Sequence, residues 1–247
     1  MKQALAERLG KLADRARRGD PGAPVGFTGG QLPSAFGGFD WRLLLEKQTL
    51  VEAYEGGLAP ELIHGLKRAG TKVITTWFVP DDATALATWS PWEDFGRVAR
   101  GDDGAVVWSS GAIFEASGKE LNAAGLALAE TVAAARTVRA ALATAKRPTP
   151  DVVVLASQPS VRATWMVDSW GDGKTWPRRL TSYETDHSSS GAARAAWDAL
   201  FGALGLEVGY VDARDLSAKQ ALARSGARIV VLPEATALSD DDVERLV

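Results

Sequence analysis

Apolar runs and glycine- or proline-rich breaks alternate along the first half of the chain. Short apolar runs, typical of buried parallel strands, are followed by amphipathic stretches. This pattern predicts strands at 25–28, 50–54, 72–78 and 104–108, and helices at 1–18, 41–47, 60–68 and 89–100. Such spacing favours βα units around a parallel sheet. It fits half of a (β/α)8 barrel, which takes ~250 residues in full, and it fits a doubly wound sheet as well.

The second half of the chain begins with an alanine-rich helix over 121–146, which Arg147-Pro148-Thr149-Pro150 separates from a new strand. The pattern then predicts strands, helices and one long irregular stretch, at 151–156 (strand), 157–190 (irregular), 192–204 (helix), 207–211 (strand), 217–224 (helix), 228–232 (strand) and a last helix capped at Leu238-Ser239. We therefore predict two α/β domains, 1–146 and 147–247. Doubly wound domains usually have about five strands, so three strands indicate a truncated domain and a piece of a longer protein.

Composition narrows the function classes. The 247 residues carry 28 basic and 31 acidic side chains without a basic stripe, which argues against nucleic acid as a partner. The absence of cysteine excludes disulfides, thiolate metal sites and cysteine nucleophiles, and two histidines argue against a histidine-rich metal site. No apolar run approaches the ~20 residues of a membrane span. The charged first helix, with Leu5, Leu9, Leu12 and Ala13 on one face, has no signal-peptide core. We expect a cytoplasmic protein with no membrane partner.

Candidate chemistry concentrates in residues 24–57. A glycine-rich, aromatic loop over 29–41 joins the first two strands, and the second strand ends with Glu52 and Tyr54 on one face. Parallel α/β folds bind ligands at the carboxyl ends of their strands. The glycine spacing fits neither a P-loop nor a dinucleotide fingerprint. Nine tryptophans add flat rings that suit sugars, although tryptophan packs in cores as often.

Each candidate residue has a structural alternative. Glu52 is the candidate catalytic carboxylate, and its alternative is a salt bridge. The candidate substrate-binding residues are Gln31, Asp40, Tyr54, Trp108 and His187. For Gln31 and Asp40 the alternative is loop or helix capping, for Tyr54 and Trp108 core packing, and for His187 a structural role in the long irregular stretch.

Several segments, taken in order, resemble bacterial β-galactosidases of glycoside hydrolase family 42. Four resemble barrel strands five to eight and two resemble the family's trimerisation domain: 24–28, 50–54, 72–78, 99–108, 197–206 and 229–239. In the sixth strand the family places an acid and a tyrosine two residues apart, as in Glu52 and Tyr54. The resemblance implies the C-terminal half of a (β/α)8 barrel followed by a partial flavodoxin-like domain. It also implies a carbohydrate substrate, hydrolysis without a cofactor or metal, and a homotrimeric parent protein.

The segment that resembles the seventh strand departs from the family, whose nucleophilic glutamate ends that strand. Here the strand runs Val73-Ile74-Thr75-Thr76-Trp77-Phe78 without a carboxylate. The family's acid/base glutamate lies on the fourth strand, which would precede this sequence. The resemblance therefore implies a glycoside hydrolase fragment that is inactive by itself. The alternatives are a non-catalytic carbohydrate-binding or subunit-assembly module and a small α/β protein complete as it stands.

Overall fold

A computed structural model describes most of the chain, and its residues fall into two compact units, Met1–Thr71 with Pro148–Val247, and Lys72–Arg147. The described residues are 2–30, 33–36, 39–54, 58–80, 85, 101–108, 110–146, 148–175, 178–179, 181–217 and 225–246. Of the predicted helices, 89–100 lies outside these residues and 217–224 lies almost entirely outside them. Among the described residues no helix is both long and apolar enough to cross a membrane.

The first unit combines residues from both ends of the chain. Its elements, in order, are α1 (Lys2–Gly19), β1 (Gly26–Gly30), α2 (Trp41–Leu44), β2 (Leu50–Ala53), α3 (Ala59–Leu66), β5 (Val152–Ala156), α5 (Gln158–Asp172), α6 (Thr181–His187), α7 (Ser189–Ala203), β6 (Val208–Asp212), a 3-10 turn (Ala213–Ser217), β7 (Ile229–Val231) and α8 (Asp240–Leu246). The elements β3, β4 and α4 lie between α3 and β5 in the chain and form the second unit. One unit boundary coincides with the predicted domain border at 146/147 to within a residue. The assignment of domains 1–146 and 147–247 stays a prediction.

Parallel strands form the sheets of the first unit, as the α/β prediction requires. β1 and β2 pair in parallel, with Phe27 opposite Val51. β5 is the central strand of a three-stranded parallel sheet in the order β6–β5–β7. Val152, Val153 and Val154 of β5 are at most 1% exposed. A continuous apolar run is expected of a strand that is covered on both faces.

Helix α3 lies directly against β6. A Cβ atom added to Gly65 would lie 2.7 Å from both the Cβ and the carbonyl oxygen of Tyr210. Only glycine permits so close an approach of helix and strand. This contact joins residues on either side of the predicted domain border within the same compact unit.

The second unit contains β3 (Lys72–Phe78), β4 (Gly104–Trp108), a 3-10 turn (Ser110–Ile113) and α4 (Ala123–Leu142). β3 and β4 pair in parallel from Ile74 opposite Gly104 to Phe78 opposite Trp108. Both strands have the predicted bounds. The buried core consists of Trp77, Val79, Ile113, Leu128 and Ala135. Asn122 begins α4 by accepting a hydrogen bond from the backbone N–H of Gly125 at 3.0 Å.

One prediction about local structure is wrong, and the burial of another predicted element is uneven. The stretch 157–190 is not irregular, because it contains α5 and α6. Ser157 caps α5 and Gly173, with a φ of +67°, ends it. In α1 the predicted apolar face is only partly buried: Ala13 is 2% exposed, whereas Leu12 is 57% exposed. The buried positions of α1 are Lys2, Gly10 and Ala13, of which Ala13 belongs to the predicted apolar face.

Candidate functional site

The carboxyl ends of β5 and β6 lie side by side. Ala156 at the end of β5 is paired with Asp212 at the end of β6. Helix α5 starts immediately after β5, so its N-terminus points towards the same edge. This edge of a parallel sheet is where α/β proteins usually bind ligands.

The hydroxyl groups at the start of α5 have structural partners. Ser157 Oγ accepts the backbone N–H of Ser160 at 3.2 Å, which is the usual N-cap bond. Ser160 Oγ lies 2.9 Å from Ser157 Oγ and accepts the backbone N–H of Ala237 at 3.0 Å. Ser157 Oγ also contacts the carbonyl oxygen of Ala237 at 3.3 Å. Both hydroxyls therefore hold Ala237 against the start of the helix. Hydroxyls engaged in this way do not favour the role of a nucleophilic serine.

Arg214 connects two buried carboxylates at this edge. Its Nη1 and Nη2 donate to Asp40 at 3.1 and 2.7 Å, and its Nε and Nη2 donate to Asp212 at 2.7 Å each. Asp40 and Asp212 are 2% and 3% exposed. Burial by itself would lower the pKa of Arg214, but the hydrogen bonds to Asp212 and Asp40 raise it above the ordinary value. The cation is therefore firmly held.

Asp40 also begins α2, as predicted. Its Oδ1 accepts the backbone N–H of Leu43 at 3.4 Å. The capping interpretation of Asp40 is thereby confirmed. Its predicted role in reading sugar hydroxyls stays a prediction, and the ion pair with Arg214 occupies both of its oxygens.

Lys2 places a buried amine near the same carboxylate. The residue is 5% exposed, and its Nζ donates to the carbonyl oxygen of Ser34. Gln158 Nε2 donates to that carbonyl oxygen at 3.0 Å. Burial lowers the pKa of Lys2 to about 7, against the opposing charge of Asp40. An amine that titrates near neutral pH is suited to proton transfer.

Glu52 and Tyr54 stand at the carboxyl end of β2. Glu52 is 5% exposed, and Tyr54 directly follows the strand. The Tyr54 hydroxyl lies 3.5 Å from the position that a Cβ on Gly29 would take, at a φ of +74° near the end of β1. The ends of β1 and β2 thus bring a carboxylate and a phenol together with the start of the glycine-rich loop.

The other predicted site residues lie on separate elements. Trp108 ends β4 in the second unit and is 64% exposed. His187 ends α6, where its ring stacks on Tyr183 at 3.8 Å and its Nδ1 lies 3.0 Å from the Tyr183 carbonyl oxygen. Gln31 lies outside the described residues. Trp108 and His187 are both exposed to solvent.

A second polar cluster surrounds Arg179, which is 2% exposed. It contacts three carboxylates: Asp168 at 3.2 Å, Asp172, and Glu184 at 2.6 Å. Burial raises the pKa of Glu184 to about 7, although Arg179 opposes the shift. Arg179 Nη2 also donates to the His187 carbonyl oxygen at 2.6 Å. These bonds join α5 to α6, which points to a structural role for the cluster and for the position of His187.

A scan of protein-family models matches none to this chain, and comparisons with curated proteins and with solved structures likewise find no match. Among the described residues no group of three or more His, Asp or Glu side chains is arranged to hold a metal ion.

Sequence reasoning missed three cations at the carboxyl edge of the sheets: Lys2, Arg194 and Arg214. The position of Asp212 at the end of a strand was a usable signal. The three cations had no recognisable signal in the sequence, because their partners are remote along the chain. Arg214 and Asp40, for example, are separated by 174 positions.

Proposed function

We propose that this chain is a carbohydrate-binding part of a glycoside hydrolase of the bacterial β-galactosidase type (family 42-like). In this proposal residues 1–146 are the C-terminal half of a (β/α)8 barrel, and residues 147–247 begin a flavodoxin-like trimerisation domain. The parent would be a cytoplasmic enzyme that hydrolyses glycosidic bonds without a cofactor. The isolated chain would bind sugar without hydrolysing it.

The observation that carries this proposal is the polar group at the ends of β1 and β2. Glu52 is buried there, and Tyr54 reaches the start of the glycine-rich loop at Gly29. A carboxylate and a phenol beside a glycine-rich loop supply the acceptors and donors that sugar hydroxyls need. In the second unit, Trp108 is a largely exposed aromatic ring at the end of a strand, and by itself it is suited to stacking on a pyranose.

Hydrolysis itself needs a second carboxyl group, ~5–5.5 Å from the first in retaining and ~6.5–9.5 Å in inverting enzymes. Glu52 is the one catalytic residue that we assign to this chain. An Asn-Glu pair upstream in the parent gene would supply the missing acid/base and support the hydrolase. Its absence there would favour a non-catalytic carbohydrate-binding module.

The decisive experiment is a titration of the purified chain with galactosides and glucosides, followed by tryptophan fluorescence, with a hydrolysis assay in parallel. We expect saturable binding without turnover, weakened by about tenfold or more in Glu52→Gln, since a hydrogen bond to a charged group is lost. Trp108→Ala should weaken binding as well. Glu130→Gln, on the exposed face of α4, is the matched control and should bind as the unaltered chain does.

Two results would contradict the proposal. Turnover would mean that the catalytic pair lies within these residues and that the chain is not an inactive fragment. A well-folded sample that binds none of the sugars would refute carbohydrate binding.

A subunit-assembly role is the second candidate, and an exposed apolar face on α5 favours it. Met166, Val167 and Trp170 are 65%, 66% and 89% exposed. Exposed apolar patches of this kind mark interaction sites more often than isolated apolar residues do. Sedimentation equilibrium tests this role: self-association that Trp170→Ser abolishes would support it, and a monomer at all concentrations would refute it.

A further inference from the structure

Arg194, on α7, carries a buried guanidinium with one unpaired edge. The residue is 5% exposed, and among the described residues neither its Nε nor its Nη2 has a hydrogen-bond partner. These two nitrogens share the side of the guanidinium that presents parallel N–H groups. That side matches the two oxygens of a carboxylate in a bidentate pair. Buried donors are normally satisfied, so an unpaired edge calls for a partner from outside the chain, either a water molecule or a ligand.

Arg194 is one of the residues that line a cavity of about 20 Å³ at the carboxyl edge of the three-stranded sheet. Its other walls include Ala156 at the end of β5, Gln158 in the first turn of α5 and Asp212 at the end of β6. A cavity needs roughly 10–15 Å³ to hold one water molecule. This one therefore accommodates the end of a small planar group and not a sugar ring. The positive end of the α5 dipole favours an anion there.

The other charged side chains of the cavity wall already have partners. Asp40 and Asp212 are bonded to Arg214, and Arg42 is bonded to Asp215 at 2.9 Å. Among the described charged residues that line the cavity, Arg194 alone has nitrogens without a hydrogen-bond partner. Burial lowers the pKa of Arg194, and the negative charge of Glu234 opposes the shift.

Glu234 is the carboxylate of the chain that competes for this edge. Its Oε2 is buried and has no hydrogen-bond partner among the described residues. Burial raises the pKa of Glu234, and Arg194 opposes the shift, so the two groups interact electrostatically without a direct ion pair.

We propose that the Nε–Nη2 edge of Arg194 binds the carboxylate of a small acidic ligand in this cavity. The group that binds the ligand in this proposal, Arg194, is not among the residues assigned to sugar binding, although Asp40 lies in the cavity wall. Either proposal can therefore fail without the other. The ligand's two oxygens would accept the parallel N–H groups, with the first turn of α5 beside them. Acetate is the simplest probe with this chemistry.

The test is an acetate titration of the full chain, in which sodium acetate replaces sodium chloride stepwise so that the ionic strength stays constant. The arginine Nε–Hε signals are followed by ¹H–¹⁵N NMR. We expect the chemical-shift change of the Arg194 signal to level off as acetate is added. The signal of the exposed Arg228 should show no such saturation. Inorganic phosphate is the second probe. Tighter binding of phosphate than of acetate would overturn the assignment to a carboxylate.

Two variants decide the role of the side chains. Arg194→Lys keeps the charge but loses the parallel edge, so acetate binding should weaken by about tenfold or more. Glu234→Gln removes the competing carboxylate, so acetate should bind more tightly. Arg228→Lys is the control and should bind as the unaltered chain does. A folded Arg194→Lys with unchanged affinity, or a chain without a saturable shift, overturns the proposal. If Arg194→Lys does not fold, unchanged affinity in Glu234→Gln overturns it.

Discussion

The guanidinium of Arg214 donates hydrogen bonds to both carboxylate oxygens of Asp40, 174 positions earlier in the chain. The same guanidinium holds Asp212 at the end of β6. One cation thus fixes the start of α2 to the carboxyl edge of the three-stranded sheet, beside the candidate anion cavity.

Arg214→Met should destabilise the fold strongly. It leaves two buried carboxylates without their cation, and breaking a buried ion pair from one side costs about 3–5 kcal/mol. The free energy of unfolding in urea measures the loss. Arg228→Met is the control: Arg228 pairs with Asp151 at the surface with 79% of its side chain exposed, so its loss should cost less than about 1 kcal/mol. Equal losses in the two variants would refute the structural role of the Arg214 bridge.

Glu184 should make the protein less stable as the pH rises from about 4.5 to about 7. Its pKa is raised to about 7 in the folded protein, so the folded state binds the proton more tightly than the unfolded state. Its contribution to stability is present below this window and is lost across it, by at most about 1.4 kcal/mol per pH unit. Urea unfolding between pH 4.5 and 8 should show that Glu184→Gln removes this slope.

Glu130→Gln, on the exposed face of α4, is the control for that series and should keep the slope of the unaltered chain. A Glu184→Gln profile parallel to that of the unaltered chain would contradict the prediction.

Lys2 should titrate near neutral pH. Burial lowers its pKa to about 7, so the unfolded state binds the proton more tightly, and the burial cost of the ammonium is relieved as the pH rises from about 7 to about 10.5. A ¹³Cε NMR titration of the lysines should show one signal with a midpoint near 7 that is absent in Lys2→Met. A Lys2 signal with a midpoint near 10.5 would show that the amine is hydrated and not buried.

Gly65→Ala should destabilise the packing of α3 on β6. The added methyl group would lie 2.7 Å from Tyr210, so helix and strand must separate, at a cost of about 1–3 kcal/mol. Gly202→Ala is the matched control, since nothing lies within 4 Å of the added carbon in α7. It should stabilise the helix by up to about 1 kcal/mol. Thermal unfolding of both variants distinguishes the two effects, and a stabilised Gly65→Ala would contradict the close approach.

The strands were predictable because their apolar runs are short and sharply bounded. β3 and β4 have the predicted ends, since Lys72 and Gly104 interrupt the apolar pattern where the strands begin. Helix α5 was missed because Met166, Val167 and Trp170 are exposed, so its apolar positions do not trace a buried face. Sequence reasoning could find Ser239 as a cap, and its Oγ accepts the backbone N–H of Asp242 at 3.1 Å.

The candidate site was predictable only in part. Strand ends mark Glu52, Tyr54 and Asp212, because alternation and strand length can be read from the sequence. No sequence pattern identifies Arg194 and Arg214, because their roles depend on burial beside residues from distant elements. A pairing that depends on tertiary packing leaves no local pattern.

Four tryptophans of the described chain form two classes by exposure. Trp41 and Trp77 are 1% exposed, whereas Trp108 and Trp170 are 64% and 89% exposed. A collisional quencher such as iodide therefore reaches the second class and spares the first. The difference in iodide-sensitive emission between the unaltered chain and Trp108→Phe therefore reports on the exposed ring of Trp108. A sugar stacked on that ring would shield it, and the Stern–Volmer slope would fall as the sugar is added.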